Sequence, residues 1–266
     1  MFDESFEEAW KQRFGVEPHS MPFDAMFLRH RSVRDYADKE IAGTVIQSLI
    51  GTAQSAATSS NLQLWSVITI QEKQLREQIA IAAADQRQIR KAPWFFAFLA
   101  DTNRLKQAAN AVGERAEGLD YAEYYTMAII DVALAAERMV CAAESMGLSI
   151  CYIGAMRNDP ARIAELLNLP QGVFCPFGLC LGYPSENPTA EIKPRLAQNA
   201  VWFKETYPDQ IDTTEYDARM RAFYESQQMK GDVTWSMRSG RRVDNNHLTG
   251  REVLKQWLEE RGFNKR

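Results

Sequence analysis

The stretch "AAESMGLSICYIGA", residues 142–155, passes from helix to strand with a single glycine at the joint. Upstream, Met127, Ile130, Val132, Leu134, Ala135, Met139 and Ala142 recur at helical spacing, so residues 119–147 read as one long helix. Gly147 suits the left-handed position that closes a helix. Residues 148–153 then form a short apolar run, which reads as a buried strand. The run ends on Gly154, where the backbone can come close to a flat ring.

Working outward from this joint, the pattern alternates. Upstream, residues 24–30 read as a first helix and 41–57 as a second, with Val45, Ile46, Leu49 and Ile50 on one face. "TSSN" (58–61) stops it. "LWSVITI" (64–70) reads as a strand, 73–84 as a helix, and "APWFFAFLAD" (92–101) as a buried strand. Downstream, 158–170 is a helix opened by Asn158 or Asp159 as N-cap with Pro160 in its first turn. Residues 173–184 form another buried strand. A proline-rich extended arm (185–210), a helix (214–227), a polar loop (229–250) and an amphipathic helix (251–263) follow. This order predicts an α+β protein.

Composition excludes several classes. The chain has 266 residues and 45% hydrophobic content, enough for a sizeable core. Lys+Arg number 31 against Asp+Glu 35, a net charge of −4, which disfavours nucleic acid as a partner. Residues 127–143 are apolar but carry Asp131, Glu137 and Arg138, so no membrane span is expected. No targeting segment is read at the start. Cys141, Cys151, Cys175 and Cys180 show no CxxC spacing, and reduced thiols in a cytoplasmic protein are expected. Three histidines, His19, His30 and His247, and no acidic cluster argue against a metal site. GxGxxG, the P-loop and GxSxG are absent, so an enzyme of this sequence would leave its chemistry to a bound cofactor.

Four stretches carry polar groups suited to such a cofactor. "LRHRSVRDY" (28–36) places Arg31 and His30 within reach of one phosphate, and Arg34 near a second acceptor. "TSSN" offers hydroxyls and an amide. "CYIGAM" (151–156) offers a glycine at a strand end, and "KPR" (193–195) offers two cations. Alone, each has a plainer reading: a solvated charged face, a helix stop, a buried turn and a surface loop.

In sequence order these stretches resemble the nitroreductase family of FMN enzymes, and most of all its NADPH-dependent nitroreductases and flavin reductases. The motifs are "RHRSVRDY", "AATSSNLQLW", "AAESMGLSICYIGA", "MRNDPARIAELLNLP", "FGLCLGYP" and "KPRL", with "TW" (234–235) and a closing "GFN". The resemblance runs from about residue 24 to the end. Residues 1–20 read as an N-terminal extension, and 21–266 as a single FMN-binding domain with a C-terminal excursion over 185–266.

The resemblance implies a nitroreductase-like α+β fold: a mixed, mainly antiparallel sheet flanked by helices, a long central dimer-interface helix and an extended C-terminal arm. It implies a homodimer with FMN at the subunit interface and NADPH or NADH as reductant. By motif, His30, Arg31, Ser32 and Arg34 would hold the phosphate, ribityl chain and pyrimidine edge, with Lys193 and Arg195 adding to the phosphate site. Ser59, Ser60 and Gln63 would lie near the FMN bound mainly by the other subunit. Gln86 corresponds to a family glutamine within "GGQ", which reads "ADQ" here. Tyr152, Ile153, Gly154 and Ala155 would line the ring, with Ala155 in place of a second glycine.

No side chain is assigned as catalytic, because ping-pong transfer through bound FMN needs none. The acceptor would be a nitroaromatic, quinone, azo dye or free flavin. Relatives that prefer NADPH carry an arginine-rich loop after the late helix. Here only Lys230 stands in that loop, with Arg238, Arg241 and Arg242 nearby. The alternatives are a reductive dehalogenase or flavin-degrading member, with 103–120 or 229–250 as lid, and a flavin-binding module without turnover.

Overall fold

The computed structural model describes residues 3–18, 25–186, 188–229, 231 and 233–266. In chain order the elements are α1 (Phe6–Phe14), α2 (Gly43–Gln54), β1 (Trp65–Thr69), α3 (Lys73–Ala82), α4 (Arg87–Lys91) and β2 (Trp94–Asp101). There follow α5 (Asn103–Ala111), α6 (Ala122–Ser145), β3 (Ser149–Ile153), α7 (Pro160–Leu166) and β4 (Val173–Gly182). The last three helices are α8 (Thr214–Ser226), α9 (Trp235–Arg242) and α10 (Leu254–Glu260). The chain divides into two compact units, Ser32–Thr189 with Gly250–Arg266, and Met1–Arg31 with Ala190–Thr249.

The first of these units is built on the sheet, ordered β1-β2-β4-β3 with antiparallel neighbours throughout. β2 is central and apolar along its length because both faces are covered. Phe95, Ala97 and Leu99 point into a core shared with α3 and α7, and Phe96 and Phe98 into a second core shared with α2 and α6. β4 crosses the same boundary with a shift of register. Phe98 pairs with Phe177, but Ala100 pairs with Phe174, so β4 carries an extra residue there. That bulge is where the strand admits Pro176, which cannot donate to a ladder.

The joint at Gly147 folds as read. Gly147 has φ 75°, Leu148 N donates to Ala143 O at 3.0 Å, and Gly147 N to Glu144 O at 3.0 Å. This pair of bonds is the Schellman arrangement that satisfies the last carbonyls of α6. Asp159 caps α7, accepting from Arg162 N at 2.9 Å, with Pro160 in the first turn. α6 packs on α2 through Val132, Ala135, Ala136, Met139, Val140 and Ala143. Small residues there let the two helices approach closely.

The other unit holds α1, α8 and α9. Phe6, Ala9, Trp10 and Phe14 of α1 pack with Ala25, Leu28 and Ile192. Two readings of the sequence are corrected in this unit. The sequence predicts a helix over residues 24–30, but the described part forms only a 3-10 turn, Ala25–Phe27, and Asp24 lies outside the described residues. The polar stretch 229–250, read as a loop, contains α9, capped by Thr234 Oγ1 accepting from Met237 N at 3.2 Å.

The thiols are free, and burial pushes all four upward in pKa, Cys175 to about 12. A thiol raised in the folded state stabilises the fold below its unfolded pKa and loses that stabilisation as pH rises towards the folded value. The unfolded thiol titrates near ~8.5, so unfolding free energy should fall steadily from pH ~9 upward. Urea melts at pH 7.5 and pH 10 check this; equal midpoints would contradict it.

Candidate functional site

The sheet unit brings two of the sequence-named stretches together. Ser32 forms a parallel bridge with Ile150, and Val33 N donates to Ile150 O at 2.9 Å. Ser32 and Val33 therefore lie beside Ile150 of β3, which runs on through Tyr152 and Ile153 to the Gly154 turn, while Tyr36 bridges Pro184 just after β4. Val33 is buried and Arg34 exposed, the alternation of an extended chain. Tyr36 turns back inside, its hydroxyl donating to Val33 O at 2.8 Å, and burial raises its pKa.

β3 delivers Tyr152 onto the edge of Phe177 at 5.3 Å, with its hydroxyl donating to Glu137 Oε2 at 3.1 Å. Burial, followed by the nearby Glu137 carboxylate, raises the Tyr152 pKa and keeps the phenol neutral. The turn after β3 is fixed by two arginines. Arg251 donates to Asn158 Oδ1 at 2.8 Å and to Gly154 O at 3.2 Å, and Arg157 to Pro176 O at 2.5 Å. A Cβ on Gly154 would come within 3.3 Å of the Arg157 guanidinium, which would have to shift by a few tenths of an ångström.

Ser59, Ser60 and Gln63 lie on a loop of unusual backbone. Ser60, Asn61 and Gln63 all have positive φ, at 49°, 56° and 51°. Each costs about 1–2 kcal/mol for an L-residue, and such strain concentrates at ligand sites. The compensation comes from Asp131 of α6, which is 1% exposed. Its carboxylate accepts from Thr58 Oγ1 at 2.5 Å, Ser59 N at 3.1 Å and Leu64 N at 3.0 Å. Arg104 closes the other end, donating to Gln63 O and Trp65 O at 3.0 Å each. Sequence reasoning missed both residues. A carboxylate inside an apolar helix was the available signal for Asp131, because a buried charge needs donors.

Gln86 follows a second strained turn, Ala84 and Asp85 at φ 60° and 56°. Its Oε1 accepts from Gln88 Nε2 at 2.6 Å, and Arg90 pins the turn through Asp85 at 2.5 Å. The strained loop 58–64 also adjoins an apolar cavity of about 490 Å³ lined by Leu62, Leu105, Ala109, Val112, Leu119 and Tyr124. This is a ligand-sized volume. Residues 103–120, named from sequence as a lid, supply α5 and most of that lining.

The remaining candidates belong to the other unit. Lys193 and Arg195 are exposed and alternate with buried Ile192 and Pro194, so both cations leave the same side of an extended segment. Arg31 is 8% exposed and pairs with Glu4 at 2.8 Å. The carbonyl of His30 accepts from Arg13 Nη2 at 2.5 Å. Of the candidates for the reductant's phosphate, Arg238 lies 5.0 Å over the Tyr224 ring, and Arg242 donates to His247 O at 3.0 Å. Arg241 is exposed on the last turn of α9, and Lys230 lies outside the described residues.

Residues 28–183 match the model of the nitroreductase family, and residues 193–266 that of the nitroreductase family C-terminal domain. The chain belongs to the nitroreductase family. Within it, the chain is 36% identical to an FMN reductase (NADPH) of Bacillus subtilis (strain 168), covering 90% of this chain and 96% of that one. It is also 36% identical to a Cr(VI) reductase of Pseudomonas sp. (strain G-1), covering 90% and 98%. Among solved structures it resembles a B. subtilis nitroreductase with TM-score 0.83 at 34% identity, covering 91% and 98%. A further likeness is the NADPH:FMN oxidoreductase of Vibrio harveyi complexed with NAD+, with TM-score 0.79 at 28% identity, covering 91% and 98%.

Proposed function

We propose that this chain is an FMN-dependent NAD(P)H oxidoreductase reducing nitroaromatics, quinones, azo dyes or free flavin. The observation that carries the reading is the bridge that sets Ser32 beside Ile150 of β3, the strand that runs on to the Gly154 turn, in a chain of this family. The donor set fits FMN. Exposed Lys193 and Arg195 suit a phosphate dianion, Ser32 and exposed Arg34 suit a polyol and a pyrimidine edge, and Gly154 suits a flat ring.

When bound, FMN supplies a carrier that accepts hydride from a nicotinamide and passes reducing equivalents to the acceptor. The protein binds and orients. His30, Arg31, Lys193 and Arg195 hold the phosphate, Ser32 and Arg34 the ribityl chain and pyrimidine edge. Tyr152, Ile153, Gly154 and Ala155 line one ring face. Asp131 and Arg104 fix the loop that carries Ser59, Ser60 and Gln63, so that these residues would stand beside the cofactor of a second subunit. Gln86 would contact the flavin from its own turn. No side chain moves a proton in this scheme.

The same reading takes 21–266 as one FMN-binding domain and the working form as a cytoplasmic homodimer. α6 supports the dimer: Ile130 and Leu134, one helical turn apart, are 47% and 43% exposed, a bare apolar strip on the longest helix. No described helix is long and apolar enough to cross a membrane.

Steady-state turnover of NADPH and NADH with a quinone or nitroaromatic acceptor tests the activity, and parallel double-reciprocal lines are expected. Two charged donors on the 2′-phosphate at about 1.5–3 kcal/mol each would give a preference of about 100-fold or more. Arg238 and Arg242 already have partners within their own unit. The NADPH:NADH ratio of kcat/KM should therefore stay below about 100-fold. A larger ratio would show that α9 does grip the phosphate.

A further inference from the structure

Helix α1 lies outside both stretches matched by the family models, yet it holds the main chain at His30, Lys193 and Arg195. Arg13 is 5% exposed, a rare place for an arginine. Its Nε donates to Leu28 O at 2.7 Å, Nη2 to His30 O at 2.5 Å and Nη1 to Lys193 O at 3.3 Å. Its own carbonyl accepts from Arg195 N at 2.7 Å and from Arg219 Nη1 at 2.9 Å. Arg219 Nη2 also donates to Arg195 O at 3.1 Å. One residue thus ties "LRHR" to "KPR". Just before the helix, Glu4 Oε1 sits 2.8 Å from Arg31 Nη2, while Glu4 Oε2 is buried with no hydrogen-bond partner among the described residues. That carboxylate stands where an anionic ligand of Arg31 would stand.

We propose that α1 and the segment before it are a working part of the cofactor's phosphate site. Arg13 is a positioning residue: it fixes the backbones that carry His30, Arg31, Lys193 and Arg195, so that their cations are arranged before phosphate arrives. Glu4 is an internal anion that competes with the phosphate for Arg31. This inference rests on the FMN reading. It assigns a role to residues that the family's matched stretches do not include, and it makes phosphate affinity a balance between one ordering contact and one competing charge.

Riboflavin, which is FMN without the phosphate, separates this role from a general structural one. Full-length protein stripped of flavin is titrated with FMN and with riboflavin by flavin fluorescence. Arg13→Ala should weaken FMN binding about 10-fold or more by leaving the cations unordered, with Arg13→Lys between it and the wild type. Glu4→Gln should tighten FMN binding about 3-fold or more by removing the competitor. Riboflavin affinity should stay within about twofold throughout, because it lacks the charge these residues serve. Glu4→Gln binding FMN no tighter than the wild type, or riboflavin moving in step with FMN, would overturn the proposal. If Arg13→Ala does not fold, Glu4→Gln alone decides. A wild type that binds neither ligand defeats the FMN reading itself, an outcome distinct from either.

Discussion

Replacing Asp131 with alanine should destabilise the protein by about 3–5 kcal/mol and lower its melting temperature by roughly 10 °C. The carboxylate is 1% exposed and accepts three bonds, from Thr58 Oγ1, Ser59 N and Leu64 N. Hydrogen bonds to a charged acceptor contribute about 1.5–3 kcal/mol each, and their loss strands donors in a dry site. The same bonds hold Ser60, Asn61 and Gln63 at positive φ, so their removal also frees the loop to relax. Asp131→Asn keeps the shape and one acceptor oxygen, and should lose about half as much. Thermal melts of both variants check the order. A loss under about 1 kcal/mol in Asp131→Ala would show that the loop does not depend on this carboxylate.

The double variant Lys193→Ala/Arg195→Ala should weaken FMN binding by about 30- to 150-fold, a change of roughly 2–3 kcal/mol. Both side chains are exposed, so each contributes less than a buried charge pair would. Their alternation with buried Ile192 and Pro194 gives the reason to expect a joint effect: both cations leave one side of one extended segment. The effect should shrink at high salt, because the contacts are ionic and solvated. Isothermal titration at low and high salt measures this. FMN affinity within about threefold of the wild type would remove these residues from the phosphate site.

The parts of the fold that sequence made legible are those with local causes. Gly147 closes α6 through bonds to residues three and five positions back, and Asp159 caps α7 three residues ahead. The β2 run was readable because both of its faces are buried. By contrast, α9 has no buried residue, so its sequence "WSMRSGRR" shows no apolar face and looked like a loop. α4 and α5 also passed unread; α5 has no buried residue either.

The candidate site divides in the same way. Its named residues came from motifs, but what holds them did not. Asp131 lies more than sixty residues from the loop it supports, and Arg13 about 180 from Lys193. Such partners follow from tertiary packing rather than spacing. In the sequence, Asp131 stands out as a charge too costly for a membrane span. The same cost inside a folded core implies donors nearby, but not which ones. Arg13 offered no such clue, since an arginine on a short polar helix is ordinarily solvated.

The central claim is that the chain carries FMN and uses it for electron transfer. The direct measurement is the absorbance spectrum of the purified full-length protein during anaerobic titration with NADPH. A yellow protein whose flavin bands bleach on addition of NADPH and return with air, and whose heat-released flavin is FMN, is the expected result. A colourless protein that takes up no added FMN, or a bound flavin that neither NADPH nor NADH bleaches, would contradict it.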